Sequence, residues 1–273
     1  MDLPALLRRR RPGPRVAVVR LQGVIAAQGR GATLNSAGIG PILARAFKAK
    51  KPAAVALIVN SPGGSPVQSA LIGRHIRRLA DETETPVHAF VEDVAASGGY
   101  WLAAAADDIH VDDSSVTGSI GVISAGFGFT GALEKLGVER RVHTAGKDKS
   151  ILDPFRPERD EDIDRLKQIQ SRIHDAFIAH VKARRGDRLD LSNEDLFTGA
   201  IFVGMEAVEA GLADGVGHAT DVLKAKYGED VRFVQYAPRR PFLRRLAPGI
   251  ERGIVDAALD AVEERATWAR HGL

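Results

Sequence analysis

The chain has 273 residues, of which 44% are hydrophobic and 27% charged, and this content predicts a folded protein with one sizeable core or two smaller ones. The absence of cysteine excludes disulfides, thiolate chemistry and cysteine-based zinc sites. A formal net charge of +3, with arginine pairs scattered among acidic residues, argues against a nucleic-acid groove. The eight histidines have no ligand-like spacing, so we expect no metal and no cofactor.

The first part of the chain does not have the pattern of an exported or membrane-spanning protein. Residues 1–14 are basic and contain prolines, and they predict a mobile tail able to make weak peripheral contact with the inner membrane. Arg20 and Gln22 then interrupt the segment where a signal peptide would be apolar. No apolar run approaches the ~20 residues that span a bilayer. We therefore expect a cytoplasmic protein without a signal peptide or transmembrane helix.

Strands and helices alternate along the first hundred residues. Residues 16–25 and 52–60 predict strands, the second of the continuous apolar kind that is buried on both faces. Between them, a Gly-rich loop at 29–40 leads into a helix at 41–50. A further helix follows residue 65, with its apolar positions at Val67, Leu71, Ile72, Ile76 and Leu79.

The turn that joins this second strand to its helix is a candidate oxyanion-binding loop. Its sequence is Asn-Ser-Pro-Gly-Gly-Ser at residues 60–65. Pro62 fixes the turn, and Gly63 and Gly64 allow bare backbone N–H groups to approach a ligand closely. An ordinary tight turn explains the same residues.

A serine occupies the next turn between a strand and a helix. The apolar segment after Pro86 predicts a buried strand and the Ala-rich segment after Tyr100 a helix, with Ser97 and two glycines between them. Free N–H groups at the start of a helix can receive a developing oxyanion, so this is where a nucleophile would be placed. The alternative is that Ser97 is an ordinary N-cap residue.

The rest of the chain continues the alternation without a break in composition or a fixed repeat, which predicts one α/β domain. A long amphipathic helix at 160–184 carries an apolar stripe, typical of a core or oligomer face. The other predicted elements are strands at 108–112 and 139–145, a helix at 127–136, a strand and helix at 197–199 and 204–214, and a C-terminal helix with Ile250, Ile254, Ala258 and Val262 on one side.

Several stretches together resemble the S49 family of serine peptidases, the signal peptide peptidase A group (SohB-like), which is related in fold to the Clp protease and crotonase. The order of the stretches is that of the family, and they extend over most of the chain from residue 16 to about 215. They are NSPGG at 60–64, AASGGYW at 95–101, TGSIGV at 117–122, KSILDPFR at 149–156, FTG at 197–199 and GLAD at 211–214.

The resemblance implies a ClpP/crotonase-like α/β fold of repeated β-β-α units and a Ser/Lys dyad. Ser97 would be the nucleophile and Lys149 the general base, with Ser119 at the family position that helps to hold the lysine. The N–H groups of Gly64, with Gly63 beside it, and of Gly98 would form the oxyanion hole.

The chemistry of a lysine base adds its own requirement. A lysine must be neutral to accept a proton, and its reference pKa of ~10.4 makes this cost on the order of 4.6 kcal/mol at neutral pH unless the site lowers the pKa. We therefore expect the Lys149 amine to be desolvated and to have no paired carboxylate. Lys147 is a rival base, but in an extended segment its side chain would point the opposite way.

In single-module members of the family the serine and the lysine come from adjacent subunits, so the resemblance implies a homo-oligomer that acts on peptides or small unfolded proteins, including signal peptide remnants. We expect a basic tail at 1–14, a peptidase domain at 15–236, and a basic segment with a helix at 237–273, without a membrane anchor or second module. Two alternatives are a crotonase-type acyl-CoA enzyme and a non-catalytic oligomeric scaffold.

Overall fold

The computed structural model describes residues 13–28, 33–146 and 148–238. The described residues form two compact units, one of residues up to 120 together with those from 180 onward, and one of residues 121–179. The predicted N-terminal tail up to residue 12, the rival base Lys147 and the predicted C-terminal helix lie outside the described residues. None of the helices within the described ranges has the length and apolar character needed to cross a membrane.

The first unit is built on an eight-stranded sheet with the order β6-β5-β3-β2-β1-β8, while β4 pairs with β3 and β7. All pairs are parallel except β5 with β6. The strands are β1 (Arg15–Gln22), β2 (Ala54–Ser61), β3 (Val87–Ala96), β4 (Asp108–Val111), β5 (Val116–Gly118), β6 (Ile201–Val203), β7 (Gly215–Val216) and β8 (Arg232–Tyr236).

Seven α-helices accompany the strands within the described residues. Two of them, α4 and most of α5, belong to the second unit, and the last turns of α5 from His180 onward belong to the first. The helices are α1 (Ser36–Lys48), α2 (Pro66–Thr83), α3 (Gly98–Ala103), α4 (Thr130–Leu136), α5 (Asp160–Arg185), α6 (Met205–Glu209) and α7 (Ala219–Tyr227).

The core of the first unit lies on both sides of the central strands. Every residue of β2 is buried, and β2 pairs with β1 on one side and β3 on the other. Continuous apolar sequence in a parallel sheet has this arrangement because helices cover both faces. The α/β fold and the buried strand predicted from residues 52–60 are both confirmed.

Helix α1 begins five residues earlier than predicted. Asn35 is its N-cap, and its side-chain oxygen accepts a hydrogen bond from the N–H of Gly38 at 2.8 Å. Pro41 therefore lies inside the helix instead of at its first position. The cap compensates for the early glycines, which taken by themselves predicted a loop.

Neither of the strands predicted at 139–145 and 197–199 is formed; residues 194–197 are a short 3-10 helix and residues 198–199 a turn. Residues 139–145 form no strand and are exposed, because no neighbouring strand pairs with them among the described residues. Of the apolar positions of α2, Ile72, Ile76 and Leu79 are buried, whereas Val67 is 67% and Leu71 42% exposed. The covered face of α2 is thus narrower than its apolar stripe.

The GLAD stretch has a structural role in the first unit. Arg185, which is buried, donates two hydrogen bonds to the Asp214 carboxylate at 2.7 and 3.1 Å, and Arg188 donates a third at 3.2 Å. The N–H of Ile109 also donates to Asp214, at 2.7 Å. Burial raises the pKa of Asp214, but the hydrogen bonds and charge of Arg185 outweigh it and the pKa is lowered.

We expect Asp214→Ala to lower the free energy of unfolding by about 3–5 kcal/mol, because it leaves the buried Arg185 without its counter-charge. In the wild type, the contribution of Asp214 should be complete above the unfolded carboxyl pKa of about 3.9 and be lost as pH falls through the lower folded pKa. Urea unfolding at pH 7 and pH 3 measures both effects. An Asp214→Ala variant with the wild-type free energy of unfolding at pH 7 would contradict this structural role of Asp214. Asp195→Ala, which alters an exposed aspartate, is the control.

Candidate active site

The ends of three adjacent parallel strands meet at one edge of the sheet. Strand β2 ends at Ser61, two residues before Gly63, and β3 and β5 end side by side with Ala96 paired to Gly118. The residues that follow these two ends are Ser97 and Ser119. Ligands of parallel sheets bind outside the carboxyl ends of the strands, so the topology brings three of the predicted site segments together.

Ser97 has an unusual backbone conformation for a residue with a side chain. Its φ is +51° and its ψ is −121°, and a non-glycine residue in such a conformation costs about 1–3 kcal/mol. Its N–H donates to the carbonyl oxygen of Gly118 at 2.9 Å, and its own carbonyl accepts from the N–H of Trp101 at 3.1 Å. These bonds hold the serine on a sharp turn between β3 and α3.

The side chain of Ser97 is half-buried and does not cap the helix. It forms no hydrogen bond with any described residue of its own unit. Because the side-chain oxygen of an N-cap serine accepts a hydrogen bond from a backbone N–H of the first turn, the alternative that Ser97 is only a helix cap is not supported. A hydroxyl that is held in place and unengaged is available to a ligand.

The two glycines after Ser97 are required by close packing. A Cβ at Gly98 would lie 2.5 Å from Oγ of Ser69 in α2, and one at Gly99 would clash with the carbonyl oxygen of Ser61 in β2. Tyr100 is fully buried and donates from its hydroxyl to the carbonyl of Leu212 at 2.8 Å, and burial raises its pKa. The AASGGYW and GLAD stretches are therefore in contact.

The Gly63–Gly64 loop lies directly against the Ser97 turn. A Cβ at Gly63 would come within 2.7 Å of the N atom of Gly98 and 2.9 Å of Cβ of Ser97. The loop is fixed on its other side by Ile25, whose N–H donates to the carbonyl of Gly63 at 2.8 Å and whose carbonyl accepts from Ser65 at 2.7 Å. The carbonyl of Gly63 is therefore turned toward Ile25.

Two backbone N–H groups at this edge have no acceptor. In the described part of the first unit, neither the N–H of Gly64 nor that of Gly98 takes part in a hydrogen bond. Gly64 is exposed with φ +137°, while Gly98 is buried. Pairs of free N–H groups beside a serine hydroxyl are what an oxyanion hole requires.

For the peptidase activity that the resemblance implies, replacing Gly64 with alanine should lower kcat by about 100-fold or more, because the new Cβ would clash with the carbonyl oxygen of Ile25 and displace the N–H. Gly40→Ala is the matched control: a Cβ there meets nothing within 4 Å in α1, so kcat should not change. Wild-type kcat in the Gly64 variant, measured on the folded protein, would contradict this use of the loop.

Ser119 is a second serine with a strained backbone, with φ +49°. Its N–H donates to the carbonyl of Ala200 at 2.7 Å, just before β6, and the residue is half-buried. Its hydroxyl also forms no hydrogen bond with described residues of the first unit. The strand register places it next to Ser97, on the side away from the Gly63–Gly64 loop.

Lys149 belongs to the second unit, on a turn where its N–H donates to the carbonyl of Gly146 at 3.3 Å. It is exposed, and none of the described carboxylates in that unit forms an ion pair with it. The carbonyl of the next residue, Ser150, accepts a hydrogen bond from Arg156. Arg156 also donates to Asp162 at 3.1 Å. The desolvation expected for a lysine base is not provided by its own unit.

Neither His180 nor His88 forms a hydrogen bond with Ser97. His180 is stacked on the Trp101 ring at 4.6 Å and donates from Nε2 to the Trp101 carbonyl at 3.0 Å, and burial lowers its pKa. His88 bonds Asp108 and Tyr227 near the start of β3, nine residues and about 30 Å from Ser97. Within the described residues, no group of three His, Asp or Glu side chains is placed to hold a metal.

Some supporting residues were not identified from the sequence. Ser61 donates from Oγ to the carbonyl of Gly23 at 2.7 Å and accepts from the N–H of Gly63 at 3.3 Å. Together with Ile25 it fixes the loop that carries Gly64. Ser61 is within the NSPGG stretch and could have been found there, whereas Ile25 has no local signal because its role depends on the tertiary fold.

The chain matches the family model "Peptidase family S49" over residues 80–231, more than half of its length. The Na(+)/H(+) antiporter NhaA of Brucella melitensis is 48% identical over 99% of this chain and 39% of its own length. The putative signal peptide peptidase SppA of Enterococcus faecium is 33% identical over 67% of this chain and 54% of its own. This chain thus spans about two fifths to one half of these relatives.

A solved structure has a similar fold. It is a lysine-to-alanine mutant of the 1510-N membrane-bound stomatin-specific protease in complex with a substrate peptide, with a TM-score of 0.53 and 16% sequence identity. The alignment covers 86% of this chain and 96% of that one. The fold expected from the sequence is therefore confirmed.

Proposed function

The chain belongs to peptidase family S49, and on that premise we propose that it is a serine endopeptidase with a Ser/Lys dyad. The observation that carries the proposal is the Ser97 turn: a strained serine with an unengaged hydroxyl, beside the two free N–H groups of Gly64 and Gly98. A helix cap does not need this strain, whereas a nucleophile that has to be presented at a strand end does.

The reaction follows from these groups. The Oγ of Ser97 attacks the carbonyl carbon of a peptide bond while its proton passes to the neutral amine of Lys149, and the oxygen that gains charge is held by the N–H groups of Gly64 and Gly98. The tetrahedral intermediate collapses to an acyl-enzyme, and the leaving amine takes the proton from Lys149. A water molecule then attacks the acyl-enzyme and gives its proton to Lys149. The second tetrahedral intermediate collapses, the new carboxyl group of the peptide is released, and Ser97 regains its proton.

The lysine is proposed to come from an adjacent subunit, as the family resemblance implies. Lys149 is exposed and unpaired in its own unit, so a second copy that covers it would provide the desolvation that lowers the cost of the neutral amine. Ser119, next to Ser97 in the strand register, would accept or donate a hydrogen bond that orients this lysine.

The substrates we propose are peptides or small unfolded proteins, including signal peptide remnants, in keeping with the name of the Enterococcus relative. Peripheral contact of the basic N-terminal tail with the inner membrane is part of the same proposal. The antiporter name of the Brucella relative describes a longer protein, and the residues shared with peptidases lie within this chain.

Labelling by a fluorophosphonate, which reacts with activated serines, tests the proposed function. We expect stoichiometric labelling of Ser97, located by mass spectrometry, and cleavage of members of an unbiased peptide library. A chain that is folded but neither labelled nor active would contradict the proposal. If such a chain bound coenzyme A, the acyl-CoA enzyme would be favoured. If it did not, the non-catalytic scaffold would be favoured.

A further inference from the structure

A cavity in the first unit lies between α1, the end of β1 and the end of β8. Its volume is about 410 Å³, within the range of sites for small ligands. The apolar part of its wall is formed by Leu34, Ile39 and Ile42 at and just before α1, and by Ala237 and Pro238 after β8. We call this cavity the edge site, because it lies beside the last residues of β1.

In the described part of the chain, the last residues of β1 have no strand on the side of the edge site. Strand β8 pairs with β1 only as far as Val19, whereas β1 continues to Gln22. The N–H of Arg232 donates to the carbonyl of Pro14, and the alternation along β8 makes Pro238 the next residue that would donate to β1. Proline has no N–H, so the pairing stops and leaves this part of β1 open.

Gln22 presents a peptide N–H and a carbonyl to this opening. It lies opposite Asn60 in the register of β1 with β2, and the carbonyl of Asn60 accepts from the N–H of Gly23 at 3.0 Å. The bonds to β2 are therefore made by the neighbours of Gln22, whose own N–H and carbonyl point away from β2. Neither group has a hydrogen-bond partner among the described residues.

The opening in the edge of β1 is short. Beyond it, the N–H of Leu34 donates to the carbonyl of Val24 at 2.9 Å, so the chain is covered again on the same side. Residues 20–22 remain open between the end of β8 and Leu34. At about 3.3 Å per residue, an extended segment of about two or three residues fits this gap, whereas a longer strand would meet β8 or Leu34.

The unpaired polar groups of the edge site are amides and carry no charge. The side chains of Gln22 and Gln235 line the cavity and form no hydrogen bond with described residues. Arg20 also lines it but is paired with Glu92. An anionic ligand such as a fatty acid or a phosphate would therefore find no unpaired cation among the described residues of the wall. An amide would find both donors and acceptors.

The edge site is separate from the Ser97 site. Ile25 forms parallel bridges with Leu34 on one side and with Gly64 on the other. Leu34 belongs to the wall of the edge site, and Gly64 belongs to the proposed oxyanion hole. Because the segment that carries Ile25 lies between them, a ligand of the edge site would be held apart from the proposed reacting groups.

We infer that the edge site binds a short apolar peptide. One amide of the peptide bonds to the N–H and carbonyl of Gln22, and an aliphatic side chain packs on Leu34 and Ile39. Open strand edges bind peptides in this way, through main-chain hydrogen bonds and pockets for side chains. On the proposed function, which only this last step requires, peptides of this kind are products of the enzyme.

Photo-crosslinking locates the ligand. The probe is N-acetyl-photoleucyl-leucine amide, which carries a diazirine and has no charged end, and the protein is the full chain with Ser97→Ala, so that the probe is not consumed. We expect saturable crosslinks to residues 34–42 and 235–238 at about 1 mM probe. Crosslinks confined to residues 63–65, 97–101 and 117–120, or the absence of saturable crosslinking, would overturn the inference.

Two variants at Gln22, in the same Ser97→Ala background, test the main-chain contact. Gln22→Ala and Gln22→Pro lose the same exposed side chain, but only the proline variant also loses the N–H. Strand edges tolerate proline where the N–H is unpaired. We expect Gln22→Pro to bind the probe at least about 10-fold more weakly than Gln22→Ala in titration calorimetry. Equal affinities in two folded variants would overturn the inference.

A second substitution keeps the inference testable if circular dichroism shows that Gln22→Pro does not fold. Gln235→Glu preserves the size of an exposed side chain of the wall but replaces its amide donor with a charged carboxylate. We expect it to bind the probe at least about 3-fold more weakly than the parent protein. Unchanged affinity would overturn the inference.

Peptide cleavage by the wild type is measured separately and divides the two claims. Probe binding at the edge site of a chain that is neither labelled at Ser97 nor active would support the inference and contradict only the proposed function. Cleavage by a chain whose edge site takes no probe would overturn the inference and leave the proposed function intact.

Discussion

Replacing Ser97 with alanine is expected to lower kcat/KM for peptide cleavage by at least about 10⁴-fold, because the acyl-enzyme cannot form without its oxygen. The fold and assembly should be unchanged, since the hydroxyl forms no hydrogen bond within its own unit and its removal breaks none. Peptide cleavage, fluorophosphonate labelling and thermal unfolding measure the three quantities.

Ser114→Ala is the matched control for this variant. Ser114 is an exposed serine four residues before Gly118. Its side chain forms no hydrogen bond with a described residue of its unit. We expect wild-type cleavage and labelling from it. A Ser97 variant that still cleaves or is still labelled would show that the nucleophile is another residue.

Replacing Lys149 with alanine is expected to lower kcat by about 10³-fold or more, since the serine then loses the group that takes its proton. Lys149→Arg should be no better, because a guanidinium remains charged and cannot act as the base. KM should change little, since the lysine acts on Ser97 and not on the ground-state peptide. Steady-state kinetics on one cleaved peptide separates the two constants.

Lys167→Ala provides the control within the same unit, as an exposed lysine in α5. It should leave both kcat and KM unchanged. Equal losses in the Lys149 and Lys167 variants would indicate a general effect of surface charge. Full activity in Lys149→Ala would mean that Ser97 has a different base.

Much of the Ser97 site could be predicted from the sequence. The strand before Ser97, the glycine pair after it and the turn at Gly63 and Gly64 all have local signals, and parallel topology brings strand ends together. What the sequence did not indicate was the strain at Ser97, or the contact in which Ile25 fixes the Gly64 loop. Both depend on segments that are distant in the chain.

The sequence did not show which apolar side chains are covered or which segments find a partner strand. Val67 and Leu71 continue the apolar stripe of α2, but the helix is covered only on the side of Ile72 and Ile76. Residues 139–145 were predicted to form a strand, yet they have no partner strand among the described residues and stay exposed. Local periodicity reports that a side chain can be buried and does not identify the surface that buries it.

The roles proposed for Ser119 and Lys149 rest on the family resemblance and not on local pattern. Neither position has a signal of its own, since a serine after a short strand and a lysine in a loop are ordinary. The strand register adds a physical reason for Ser119, because it places that residue next to Ser97. For Lys149 the corresponding physical reason would be the proposed burial of its amine by a second copy of the chain.

Mixing two inactive variants, Ser97→Ala and Lys149→Ala, tests the central claim most directly. If the serine and the lysine of each site come from different subunits, co-refolded equal mixtures contain sites with both groups intact, and about a quarter of wild-type activity should return. Each variant refolded alone should stay inactive. A mixture as inactive as its components, although mass spectrometry shows mixed oligomers, would contradict a dyad shared between subunits.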